Sequence, residues 1–170
     1  MDLRTKIRDI PDFPKKGIIF KDITTLLQDK EAFKYSINRL IEHYKDVKID
    51  AIAAVEARGY IFGAAMAYEL GTGFIPIRKP GKLPYDTHSM EYELEYGKNT
   101  LEIHKDALKD GERILVVDDL VATGGSSRAC AQLIEKMGGN VVGFAFLVEL
   151  TFLKGRDALE GYDVFSLIQY

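Results

Sequence analysis

A chain of 170 residues that is 46% hydrophobic and 29% charged buries one sizeable core, which excludes a disordered chain and points to a single domain over residues 1–170. Its formal charge of −3 excludes the broad basic face of a nucleic-acid binder, so an anionic ligand has to be met by a local cluster of Lys and Arg. A lone cysteine, Cys130, excludes an internal disulfide and a cysteine-rich metal site; with no secretory signal and no membrane-length apolar run, a soluble, cytoplasmic protein is expected, with no membrane partner.

Residues 1–28 read as an extended arm marked by Pro11, Pro14 and Gly17. Asp29 can cap a helix whose apolar positions Phe33, Ile37, Leu40, Ile41 and Tyr44 share one face. Ala51 to Val55 is a short apolar strand, and the alanine-rich segment Tyr60 to Leu70 is a helix that Gly71 stops. Phe74 to Ile77 is the next strand. The polar stretch after it, with Pro80, Gly81 and Pro84, cannot continue regular structure, and long loops of this kind are often functional. Between Met90 and His104, Tyr92, Leu94 and Tyr96 alternate before Gly97, and Leu101 and Ile103 after it, as in a hairpin with one covered face that can act as a hood. Ile114 to Val117 is the most uniformly apolar strand, and Cys130, Leu133, Ile134 and Met137 line the helix that follows. Val141 to Val148 and Val164 to Ile168 are further strands. Strands alternating with helices predict an α/β domain with a mostly parallel, doubly wound sheet flanked by helices, whose ligands bind beyond the carboxyl ends of the strands.

That edge carries the strongest motif. Asp118 and Asp119 end the most apolar strand, and Gly124 and Gly125 open a turn in which Thr123, Ser126 and Ser127 stand beside the free N–H groups of a helix start. Glycines, hydroxyls and helix N–H groups make a phosphate cradle. Two carboxylates beside it would repel a bare phosphate, so a ligand with both phosphate and hydroxyls is implied. A ribose 5-phosphate satisfies both demands, and the negative field favours positive charge developing at the anomeric carbon.

The string Ile114 to Ser127 resembles the 5-phosphoribosyl 1-diphosphate signature of type I phosphoribosyltransferases, in which hydrophobic residues precede two acids and a Thr-Gly-Gly loop. It is not a Walker A loop, since no Gly-Lys-Ser or Gly-Lys-Thr occurs. Segments from IPDFPKKGIIFKDI to VELTFLKGR resemble the adenine-specific branch over nearly the whole chain. The resemblance implies the type I phosphoribosyltransferase fold with a flexible hood loop, a homodimer, and a purine-salvage reaction that joins adenine to 5-phosphoribosyl 1-diphosphate and releases AMP and pyrophosphate. It also implies Mg²⁺ carried by substrate and water, with no direct protein ligand.

The roles it implies are specific. Ala122, Thr123, Gly124, Gly125 and Ser126 hold the 5-phosphate, while Asp118 and Asp119 orient the sugar. Arg58 and Gly59, in Glu56-Ala-Arg-Gly59, receive the diphosphate; Arg78, Lys79 and Lys82 meet it from a basic loop, partly across the dimer interface. Ile19 and Phe20 contact adenine, the Lys21 backbone reads its edge, and Leu150 covers its other face. Glu95, in Leu94-Glu-Tyr-Gly97, is the candidate acid or base near the imidazole edge of the base. His43, His88 and His104 receive no role. A phosphoribosyltransferase for another base, and a non-catalytic sensor of phosphoribosyl diphosphate, are the alternatives.

Overall fold

The computed structural model describes residues 1–94 and 97–170. The chain divides into two compact units, Met1–Arg39 and Leu40–Tyr170. In the first, the expected extended arm is a folded hairpin. A 3-10 turn at Leu3–Lys6 leads into β1 (Arg8–Pro11), which pairs antiparallel with β2 (Ile19–Asp22), and a short helix α1 (Thr24–Gln28) follows. The register sets Arg8 opposite Asp22 and Asp9 opposite Lys21. Both become ion pairs, at 2.6 and 2.7 Å, and opposite charges facing across strands contribute roughly 0.2–1 kcal/mol each. Charge pairing, rather than apolar alternation, marks these short strands.

Helix α2 (Lys30–His43) starts where its cap predicts, with Asp29 Oδ1 accepting from the N–H groups of Glu31 and Ala32 at 3.1 and 3.0 Å. Ile37, Leu40 and Tyr44 are buried, and Phe33 and Ile41 are partly covered.

The second unit is built on β3 (Ala51–Val55), β4 (Gly73–Ile77), β7 (Arg113–Val121), β8 (Asn140–Glu149) and β9 (Val164–Gln169), with a separate antiparallel hairpin, β5 (Thr87–Glu93) and β6 (Lys98–His104), between β4 and β7 in sequence. The five strands form one sheet in the order β4-β3-β7-β8-β9, every neighbouring pair parallel. Helix α3 (Arg58–Leu70), closed by left-handed Gly71, lies over one face, where Gly63 sits against Ala54, Ile52 and Phe74. Helix α4 (Gly125–Lys136) covers the other, where Cys130, Leu133 and Ile134 share one core with Ala53, Val116, Phe144 and Phe146. Period-two alternation along β3 and β7 sends successive residues to the two helical layers, which is why these strands are apolar throughout.

Three further expectations shift. The hairpin begins at Thr87, not near Met90, because Thr87 and His88 pair with His104 and Ile103. Its covered face is Met90, Tyr92, Leu101 and Ile103; Leu94 lies past the end of β5 and is exposed, so it does not join that face. Strand β7 does not stop at Val117 but runs through both acids to Val121. Among the described residues no helix is long and apolar enough to cross a membrane.

Candidate active site

The strand order reverses at β3: the chain steps from β3 outward to β4, then returns to place β7 on the opposite side. Ligands of such sheets bind at the carboxyl ends beside this reversal. Here the two central strands also differ in reach. Pairing between β3 and β7 ends at Ala54 with Val117, whereas pairing between β7 and β8 continues to Val121 with Glu149. Asp118 and Asp119 are therefore fixed by β8 on one side and left open on the side β3 has vacated. A cavity of about 440 Å³ opens there, lined by residues 55–58, Lys79, Tyr92, Glu93, Leu94, Leu101 and residues 118–127.

The loop after β3 closes against the acids. The Glu56–Ala57 peptide is cis. Gly59, in the first turn of α3, lies under Asp118, where a Cβ would stand 2.7 Å from Oδ1; any larger residue would move the carboxylate. Arg58 Nε donates to Asp119 Oδ2 at 2.5 Å, with the Asp119 side chain 8% exposed and that of Arg58 53%. Asp118 Oδ1 accepts the Asp119 backbone N–H at 2.8 Å. Burial, and next the adjacent Asp119 carboxylate, push the Asp118 carboxyl well above the ordinary range, against the Asp119 N–H and Arg58, which pull it down. The pair thus resists carrying two negative charges at once, and a positive charge arriving beside it would favour full ionisation.

The basic loop is organised by a residue to which the sequence reading gave no role. Glu56 accepts the Lys79 N–H at 2.7 Å and both arms of Arg78, at 3.2 and 3.3 Å. Burial opposes its charge, but the Lys79 N–H and Arg78 outweigh burial and hold its pKa below the usual value. Lys79 lines the cavity. Arg78 is instead engaged with Glu56 and with the Lys82 carbonyl, at 3.3 Å, and neither Arg78 nor Lys82 is among the lining residues. No motif distinguishes Glu56 in advance, because its partners are contributed from beyond β4.

On the other side, Ala122 to Ser126 form the turn between β7 and α4. No side chain caps α4, and its first internal bond is Arg128 N–H to the Gly124 carbonyl, so the preceding N–H groups are available to an anion. Gly124 has φ +84°, and a Cβ on it would collide with the Gly155 carbonyl oxygen. The end of β5 lies against this turn: a Cβ on Gly125 would be 3.3 Å from the Glu93 carbonyl oxygen. The described part of the hairpin expected as a hood thus adjoins the turn. Glu95, with Tyr96, lies outside the described residues.

Leu150 follows β8, donates its N–H to the Val121 carbonyl at 3.0 Å and does not line the cavity. Beside it Glu149 is 3% exposed and takes a two-pronged ion pair from Arg156, both contacts 2.8 Å, and the Ser166 hydroxyl at 2.5 Å. Arg156 most of all lowers the Glu149 pKa, against burial and with help from Ser166. A carboxylate depressed on folding adds stability that is present above its unfolded value, about 4.3, and lost as pH falls through its folded value. Glu149→Gln is expected to cost about 2 kcal/mol at neutral pH, less than the roughly 3–5 kcal/mol of a fully buried pair because the Arg156 side chain is 43% exposed. Thermal melts should show this gap closing below about pH 4; an unchanged gap in acid would refute the assignment.

In the Met1–Arg39 unit, Phe20 packs edge-to-face on Phe13 at 5.1 Å, Ile19 is 57% exposed, and the Lys21 side chain pairs with Asp9.

The sequence itself supplies the deciding comparison. The phosphoribosyl transferase domain model matches residues 24–168, and an adenine phosphoribosyltransferase of Clostridium perfringens is 60% identical over 170 residues, 100% of this chain and 99% of that one. The chain belongs to the adenine phosphoribosyltransferases. Its fold agrees: the crystal structure of the adenine phosphoribosyltransferase from Thermoanaerobacter pseudethanolicus superposes with a TM-score of 0.97 at 58% identity, covering 99% of this chain and 98% of that one. The Saccharomyces cerevisiae adenine phosphoribosyltransferase, solved with adenine and an imino-altritol bisphosphate, gives 0.91 at 40% identity, covering 97% and 96%. The expected type I phosphoribosyltransferase fold is thereby borne out, with its central sheet parallel throughout.

Proposed function

We propose that the cavity binds 5-phosphoribosyl 1-diphosphate with its 5-phosphate on Ala122, Thr123, Gly124, Gly125 and Ser126, its ribose on Asp118 and Asp119, and its diphosphate toward Arg58, Gly59 and Lys79, with Arg78 and Lys82 supporting the basic loop. The observation that carries this reading is the unbroken lining from Asp118 to Ser127, which shares one cavity with Arg58 and Lys79. The whole chain works as one phosphoribosyltransferase domain, in which Ile19, Phe20 and the Lys21 backbone, from residues 1–28, are adenine contacts and Leu150 is a further one.

In the reaction, a ring nitrogen of adenine attacks the anomeric carbon, the bond to the diphosphate oxygen breaks with its electron pair, and AMP and pyrophosphate result. Asp118 and Asp119 stabilise the cationic sugar in the transition state, and Arg58 and Lys79 balance the charge on the departing group. Hood closure excludes water from the activated sugar. Glu95 accepts or relays the proton of the base. Glu95→Gln is expected to lower kcat about a hundredfold with phosphoribosyl diphosphate affinity nearly unchanged; an equal loss of affinity would make Glu95 a binding residue only.

The donor set suits magnesium arriving on the diphosphate. Two adjacent carboxylates, one already paired with Arg58, offer little to a caged ion, and magnesium at phosphate sites keeps waters and few protein ligands. Asp118 and Asp119 would hold it through substrate and water, and it would supply charge neutralisation to the leaving group. The enzyme acts as a cytoplasmic homodimer; the exposed Ile61 and Tyr68 on α3 give an apolar face of the kind a second copy covers.

The test is to mix pure protein, Mg²⁺ and phosphoribosyl diphosphate with each nucleobase and identify the nucleotide. AMP alone is the expected product; formation of IMP, GMP or orotidine monophosphate in comparable amounts would overturn adenine specificity.

A further inference from the structure

The phosphate turn has no side-chain cap of its own, yet its shape decides how the 5-phosphate is held. Its backbone rests on another backbone. A Cβ on Gly155 would stand 2.5 Å from the Ala122 carbonyl oxygen and 2.8 Å from Val121 Cγ2, and one on Gly124 would meet the Gly155 carbonyl oxygen and, at 2.9 Å, Ala158 Cβ. The segment that brings Gly155 there leaves the sheet at Glu149 and is closed by Arg156, whose guanidinium spans both Glu149 oxygens at 2.8 Å and donates to the Val164 carbonyl at 2.8 Å. Ser166 adds a 2.5 Å bond to Glu149 from β9. Leu150 is tied to the end of β7 within the same closed segment. None of Glu149, Arg156 or Ser166 lines the cavity.

We propose that Glu149, Arg156 and Ser166 form a positioning cluster that sets the geometry of the phosphate turn by seating Gly155 against Ala122 and Gly124. A planar guanidinium bridging two carboxylate oxygens fixes direction as well as distance, which a single lysine contact does not. The cluster acts on one end of the sugar phosphate only, because the diphosphate end is organised separately by the loop after β3 and by Glu56 with Arg78 and Lys79. It therefore tunes affinity for the 5-phosphate without touching ligand.

This inference rests on the ligand orientation proposed above, and its test separates the two. Wild-type protein is titrated calorimetrically with ribose 5-phosphate and with magnesium pyrophosphate, and the titrations are repeated with Arg156→Ala, Arg156→Lys and Gly155→Ala. The expected result is a loss of ribose 5-phosphate affinity of about ten- to a hundredfold in Arg156→Ala, as for a small misplacement transmitted from a distance, with pyrophosphate affinity held within about twofold. Arg156→Lys should recover part of the loss. Gly155→Ala, which leaves the ion pair intact, should reproduce the selective loss by unseating the turn directly; if Arg156→Ala does not fold, Arg156→Lys decides the matter by a smaller loss confined to ribose 5-phosphate. Equal loss of both ligands, or of neither, in the folded variants overturns the cluster. Wild-type protein that binds neither ligand overturns the ligand orientation itself, and the cluster's role with it.

Discussion

Replacing Asp118 and Asp119 together by Asn should lower kcat for AMP formation by roughly 10²–10³ or more, with the protein still folded. Asparagine keeps the size and most of the hydrogen bonding of each acid but removes the negative field that a cationic sugar needs. It also removes the charge that balances Arg58, which donates to Asp119 at 2.5 Å, so the local field becomes less favourable to the developing cation. The backbone under the acids stays in place because β8 pairs with β7 on both sides of them, Phe146 with Asp118 and Val148 with Leu120. Single-turnover AMP formation with calorimetric binding separates chemistry from affinity; nearly unchanged turnover would remove the two acids from the mechanism. Asp118→Asn alone carries a second signature. Burial and the neighbouring carboxylate raise the Asp118 pKa, so its ionised form opposes folding, and the neutral variant should melt higher while turning over more slowly.

Gly124→Ala should lose about a hundredfold in activity and about 1–3 kcal/mol in stability. Two causes add: a left-handed backbone at φ +84° and a methyl group driven into the Gly155 carbonyl and Ala158. Gly111→Ala isolates the first cause, since it shares the conformation at φ +81° with nothing within 4 Å. It should cost about 1–2 kcal/mol and leave kcat intact. Equal kinetic damage in both variants would show that strain alone, and not the contact with Gly155, impairs the turn.

Much of this architecture was legible beforehand. Gly71 marks the end of α3, Asp29 the start of α2, and Ala51 to Val55 is a strand to the residue. These features are local: a cap, a left-handed closure, a short apolar run between polar neighbours. That the two acids and the glycine turn lie together was legible for the same reason, since they are contiguous in the chain and line one cavity. Periodicity failed where pairing is decided by distant partners. It ended β7 at Val117 because Asp118 and Asp119 break the apolar run, whereas β8 keeps the strand going to Val121. It read residues 8–22 as an arm because the β1–β2 hairpin is held by charges facing across the strands. Glu56 and Arg156 were quoted within motifs but received no role, as their partners stand 22 and 7 residues away in sequence.

The unequal reach of β3 and β7 leaves one amide in an unusual position. At Asp119 the N–H turns to the neighbouring carboxylate, 2.8 Å away, where farther back along β7 it would have found a strand. In the proposed orientation, sugar hydroxyls arriving at Asp118 would compete for that same oxygen, which would make the Asp119 amide a native reporter of occupancy. Its proton resonance should move on titration with ribose 5-phosphate while the amide of Val116, deep in the sheet, stays still.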